Sequence, residues 1–195
     1  MKLRTLTRTG IVLASLALCG LSRTAFADDP TALSLIKPAD EYVGKAVAGQ
    51  VIGIRSEKSV AGLQPNIWYV VYHDHDTMFK TAEVKFGAGR ELEVRHPMRQ
   101  PFAYINDKNY LDQKSIKIDS DKAIKIAIAE PLLDKLTIRA TELSLERTDG
   151  VDTWKVRLWA QKLRHPDADA DIGDIFIYAD DGKVIRTDLH IDRVD

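Results

Sequence analysis

Tyr72-His73-Asp74-His75-Asp76 is the stretch whose residue types come nearest to chemistry. On a strand, His73 and His75 project from one face about 7 Å apart, with Asp74 and Asp76 on the other. Two imidazoles so placed can hold Zn²⁺ or Cu²⁺ if a third ligand comes from elsewhere. The alternative is a polar strand end running into a loop, with Trp68, Val70 and Tyr72 toward the core and both histidines away from it. Asp167-Ala168-Asp169-Ala170-Asp171-Ile172-Gly173-Asp174 carries carboxylates at positions 1, 3, 5 and 8, a pattern similar to the start of a calcium loop. Its glycine comes one place late, and Tyr178 stands where that loop needs a glutamate. Asp167, Asp169 and Asp171 are thus either weak Ca²⁺ ligands or a solvated hairpin loop. Trp159 lies on the polar face of its strand beside Lys155 and Arg157. An aromatic flanked by cations suits a protein-binding surface. Cover by a neighbouring part of the chain is the other reading.

Catalytic signatures are missing from the sequence. There is no Gly-x-Ser-x-Gly, His-Glu-x-x-His, Gly-x-x-x-x-Gly-Lys or Gly-x-Gly-x-x-Gly. His96, His165 and His190 stand beside turns or near the terminus. Carboxylates are plentiful, and an unrecognised carboxylate hydrolase is the weakest of the functional readings. The expectation is a non-catalytic protein with no catalytic residues.

The elements that must position these residues follow from periodicity. Ser120 to Ala129 reads as a helix: Ser120 caps it, Asp121 suits the positive end of its dipole, and Ala123, Ile124, Ala127 and Ile128 form a stripe. The period then changes to two. Thr141–Arg147, Trp154–Gln161, Asp174–Ala179 and Lys183–Leu189 read as strands, with turns at Thr148-Asp149-Gly150 and Asp180-Asp181-Gly182. The first half resembles a diverged copy: a helix over 38–50, then strands Val51–Glu57, Ile67–His73, Thr81–Phe86 and Glu91–Arg95. Trp68 stands where Trp154 stands and Gly89 where Gly182 stands, 21 residues apart in the first half and 28 in the second. The expected fold class is α+β, two tandem helix-on-antiparallel-sheet units, side by side or sharing one sheet. Residues 28–95 make the first unit, 96–118 a connector with Pro97 and Pro101, and 119–195 the second.

Composition and charge set the surroundings. The chain has 195 residues, 45% of them hydrophobic and 29% charged, which fits a folded protein rather than a disordered one. Lys2, Arg4 and Arg8, an apolar run from Ile11 to Leu21, and Ala25-Phe26-Ala27 read as a signal peptide over 1–27. Leu16-Ala17-Leu18-Cys19 looks like a lipobox, but Leu18 sits where that pattern has a small residue. Cleavage after Ala27 removes Lys2, Arg4, Arg8 and Arg23 and no acidic residue, leaving 24 basic against 29 acidic and a net charge of −5. That balance argues against nucleic acid or an anionic membrane as partner. It also removes Cys19, the one cysteine. The expected location is the periplasm or outside the cell.

Asp121-Lys122-Ala123-Ile124-Lys125-Ile126-Ala127, Trp154-Lys155-Val156-Arg157-Leu158 and Ile175-Phe176-Ile177-Tyr178-Ala179-Asp180-Asp181-Gly182-Lys183-Val184 together resemble a PepSY domain. The resemblance covers about 75 C-terminal residues and, more loosely, residues 38–95. It implies a small cystatin-like fold, exported in bacteria, that binds or inhibits peptidases or senses something in the envelope, without defined catalytic residues. The function expected is that of an exported envelope protein presenting a sheet surface to a peptide or protein. A metal- or calcium-binding envelope protein is the alternative.

Overall fold

The computed structural model describes residues 30–98, 101–102 and 109–195. The leader assigned to 1–27, Cys19 included, lies outside the described residues, as does part of the 96–118 connector. A single turn of 3₁₀ helix at Leu33–Leu35 leads into α1 (Ile36–Val43). This helix is shorter and earlier than expected because Gly44, at φ +81°, ends it. Four strands follow: β1 (Val51–Ser56), β2 (Ile67–His73), β3 (Thr81–Gly87) and β4 (Arg90–Arg95). After the connector come α2 (Ser120–Ile128), β5 (Ile138–Thr148), β6 (Val151–Gln161), β7 (Asp169–Tyr178) and β8 (Val184–Leu189).

All eight strands form one antiparallel sheet in the order β4-β3-β2-β1-β5-β6-β7-β8. The expected class of two helix-on-sheet units is corrected by this arrangement. The fold is dominated by the sheet, and among the described residues the α-helices are two short ones of eight and nine residues. The physical reason lies at the middle. Gly53, Ile54 and Arg55 of β1 pair with Glu146, Leu145 and Ser144 of β5, so the two meanders fuse edge to edge. Two buried serines extend that ladder. Ser56 Oγ accepts from the Leu143 N–H (2.8 Å) and Ser59 Oγ from the Thr141 N–H (3.0 Å).

One face of the sheet is covered by the helices. Trp68, Val70 and Tyr72 of β2 and Trp154, Val156, Leu158 and Ala160 of β6 are fully buried there with Ala39, Ala123 and Ala127. Each buried indole N–H finds a carbonyl, Trp68 on Pro65 (3.0 Å) and Trp154 on Ile118 (2.8 Å), as buried donors must. The start of α2 also anchors the chain ahead of α1: the Ala32 N–H donates to Ser120 Oγ (3.0 Å) and the Leu33 N–H to Asp119 Oδ1 (3.1 Å). The end of the connector is tied to the β5–β6 hairpin through Asp152. Its Oδ2 accepts from Arg147 Nη1 (2.8 Å), the Asp112 N–H (3.2 Å) and Ser115 Oγ (3.3 Å). Among the described residues, no helix is long and apolar enough to cross a membrane.

Candidate functional site

The face turned away from the helices carries a small apolar cluster of Ile52, Tyr69 and Val71 with Ile67, Phe102 and Tyr110 packed on it, and elsewhere presents polar side chains with the rings of Trp159 and Phe176 among them. Strand register puts one residue of each strand on a single line across it. In sheet order the line reads Glu93, Lys85, Tyr69, Arg55, Ser144, Lys155, Phe176 and Arg186. At roughly 4.8 Å between strands, it is about 34 Å long. Along it each of two aromatic rings stands between two cations, Tyr69 between Lys85 and Arg55 and Phe176 between Lys155 and Arg186. The Tyr69 ring lies 3.9 Å from the Arg55 guanidinium, 4.7 Å from that of Arg95 and 5.3 Å from Lys85 Nζ. Arg186 sits 4.2 Å over Phe176. Such contacts hold long side chains in place and contribute roughly 0.5–2 kcal/mol each.

The charges are organised from beneath. Glu83 of β3 is fully buried and accepts from Arg55 Nη2 (2.9 Å) and Arg95 Nε (2.8 Å). Two arginines from strands that are not neighbours are thereby fixed by one carboxylate. The Tyr69 hydroxyl donates to Glu57, and that hydrogen bond holds the Glu57 carboxyl below its usual range. On the other half, Asp174 accepts from Arg157 Nε (3.0 Å) and lies 3.3 Å from Lys155 Nζ. A cavity of about 280 Å³ opens between the halves, lined by Arg55, Phe102, Glu142, Glu146, Lys155 and Arg157. Burial pushes the Glu146 carboxyl up, while Lys155 pulls it down. Phe102 closes one side by lying on Gly53, where an added Cβ would stand 2.4 Å from its ring.

Lys155, Arg157 and Trp159 all lie on this outer face of β6, at successive outward positions. Trp159 is half-buried and carries Lys58 Nζ 4.7 Å from its ring centre. Asp169 and Asp171 lie on β7 itself, and Asp167 precedes it. Asp169 is 3.9 Å from both Lys58 Nζ and Arg139 Nε, and Asp171 is 3.9 Å from Arg157 Nε, so cations already neighbour both carboxylates. His73 ends β2 and His75 lies in the following turn, with ring centres 4.1 Å apart. His73 is buried, its Nδ1 3.1 Å from the Tyr110 hydroxyl. Among the described residues, no group of three or more His, Cys, Asp or Glu is arranged to hold a metal ion.

The structure thus brings Lys155, Arg157 and Trp159 together, with Asp169 and Asp171 beside them, and leaves His73 and His75 at the far end of β2. Sequence reading missed Arg55, Tyr69, Glu83, Lys85 and Arg95. The signal for Tyr69 was the same alternation that buries Trp68 and Val70, read from its other side. The cations around Tyr69 come from three different strands, and no local pattern announces that. No family model matches the chain, and neither the curated proteins nor the solved structures compared with it give a match.

Proposed function

We propose that this chain is an exported, non-catalytic binding protein of the bacterial envelope that presents the helix-free face of its sheet to a peptide or protein partner. The observation that carries the reading is the ordered line of cations and aromatic rings, uncovered by either helix, with a cavity at its centre. Arginine and aromatic side chains held in place are the residue types that dominate binding energy at interfaces. Here their ordering cost is met inside the monomer, by Glu83, Glu57 and Asp174. Export rests on the leader read in residues 1–27. The PepSY resemblance supports the same class of function through its short motifs.

The test is a pull-down from envelope extract with wild type, Trp159→Ala, Arg157→Ala and, as a control on the helix side, Lys125→Ala. Lys125 is exposed on α2, on the opposite side of the sheet. The partner should be lost with Trp159→Ala or Arg157→Ala and kept with Lys125→Ala. Equal recovery by all four proteins would remove this face as the binding surface.

A further inference from the structure

The sheet has two edges, β4 and β8, and an edge strand offers unpaired N–H and C=O groups to any second strand. The two differ in what opposing copies would meet. In β4, antiparallel self-pairing about Leu92 sets Glu91 against Glu93, like charges that repel when directly opposite. Pairing about Val94 would set Glu93 against Arg95, but that guanidinium is already held by buried Glu83 (2.8 Å) and lies over Tyr69, so β4 offers no uncommitted cation to a second copy.

β8 has the reverse property. The His190 N–H donates to the Ile172 carbonyl (2.8 Å), and Asp188 stands opposite Asp174 with its carbonyl at Gly173. Backbone groups alternate in direction along a strand, so those of Thr187 and Leu189 point away from β7. Among the self-pairings that join outward groups to outward groups, three set Arg186 and Asp188 against themselves or each other. Centred on residue 186, the pairing opposes Arg186 to Arg186. Centred on 188, it opposes Asp188 to Asp188. Centred on Thr187, it sets Arg186 against Asp188 twice and Ile185 against Leu189 twice. Ile185 is 41% exposed, and β7 is the only described strand that pairs with β8. The pairs of opposite charge fall at the non-hydrogen-bonded positions, where side chains approach most closely.

We propose that two copies of this chain associate through β8, antiparallel and in the register centred on Thr187, to make one sheet of sixteen strands. The cationic and aromatic lines of the two copies then face the same side of one surface. The intramolecular contacts of the two charged residues leave this open: Arg186 rests on Phe176, and Asp188 Oδ1 is 3.6 Å from His190 Nε2 at an exposed position.

The experiment is sedimentation equilibrium of the purified protein, alone and as charge variants. Wild type should show a monomer–dimer equilibrium. Arg186→Asp and Asp188→Arg, each alone, should weaken it by roughly tenfold or more, since every copy then meets like charge. Mixed in equal amounts, the two variants should dimerise again, because each supplies the charge the other lacks. That rescue separates pairing from misfolding. Thr187→Pro should also abolish the dimer, because it removes an N–H that β7 does not use. Wild type that stays monomeric to ~1 mM would overturn the proposal. So would a dimer unchanged in both charge variants, which places association on another surface, or a mixture of the two variants that fails to associate.

Discussion

Asp152 gathers three donors on one oxygen, yet burial keeps its carboxyl above the 3.8 of an ordinary aspartate, against the pull of Arg147. The folded chain therefore still holds that proton at a pH where the unfolded chain has released it. Stability from the protonated form is complete below pH 3.8 and is lost as pH rises through the folded value. Compared with Asp152→Asn, which cannot ionise, wild type should lose stability across that window. Urea midpoints of both proteins from acid to neutral pH check this, and a pH-independent difference would refute it. Glu57 works in the opposite sense, because the Tyr69 hydrogen bond lowers its pKa and its contribution is lost on acidification. Comparing the two proteins cancels that term. At this scale the sequence was legible up to facing. Alternation put Lys155, Arg157 and Trp159 on the polar side of β6. It did not show that Asp174 would hold the first two, because that partner depends on the register of the next strand.

Gly173 sets that register. It lies at the bulge of β7, next to Ile172, which the register passes over; its φ is +106°, and an added Cβ would stand 2.0 Å from the Asp188 carbonyl oxygen. Gly173→Ala should therefore cost at least about 2 kcal/mol by combining backbone strain with a contact that parts β8 from β7. Gly150→Ala, at φ +82° on the β5–β6 hairpin but with open space around it, should cost about 1 kcal/mol. Thermal midpoints of the two variants rank them, and equal losses would contradict a role for the close approach. The same bulge explains what periodicity failed to read. Asp169 and Asp171 point outward before it and Asp174 and Phe176 after it, so the period of two breaks and the start of β7 passes for a loop. Where alternation is unbroken the reading was close: β2 begins at Ile67 and ends at His73 as expected. The apolar stripe of α2 likewise placed it within one residue, although its cap is Asp119, whose carboxylate accepts from the Ser120 N–H, and not Ser120 as expected. In α1, Gly44 stopped a pattern that looked five residues or more longer.

The fusion of β1 to β5 is the feature that sequence could not supply. Its partners, Gly53 and Glu146 among them, lie about ninety positions apart, and neither strand carries a mark of the other. The core runs unbroken under the junction, from Trp68 to Trp154, so the whole sheet should unfold in one transition. Ser59→Ala should cost roughly 1–3 kcal/mol of stability and lower the midpoint without splitting the transition, since the buried Thr141 N–H loses its acceptor. A second transition by circular dichroism or calorimetry would show that the halves fold apart. The junction also gives the chain a history during synthesis. β1 is complete at Ser56, but the strand that seals its free edge ends at Thr148. At ribosomal speeds that edge stays open for roughly 5–20 s. Arg55 and the irregular pairing at Val51 and Gly53 sit on that edge, and charge and bulges are what keep a waiting strand from capturing the wrong neighbour. Gly53 and Arg55, which later help to join the halves, thus guard the nascent protein until its second half arrives.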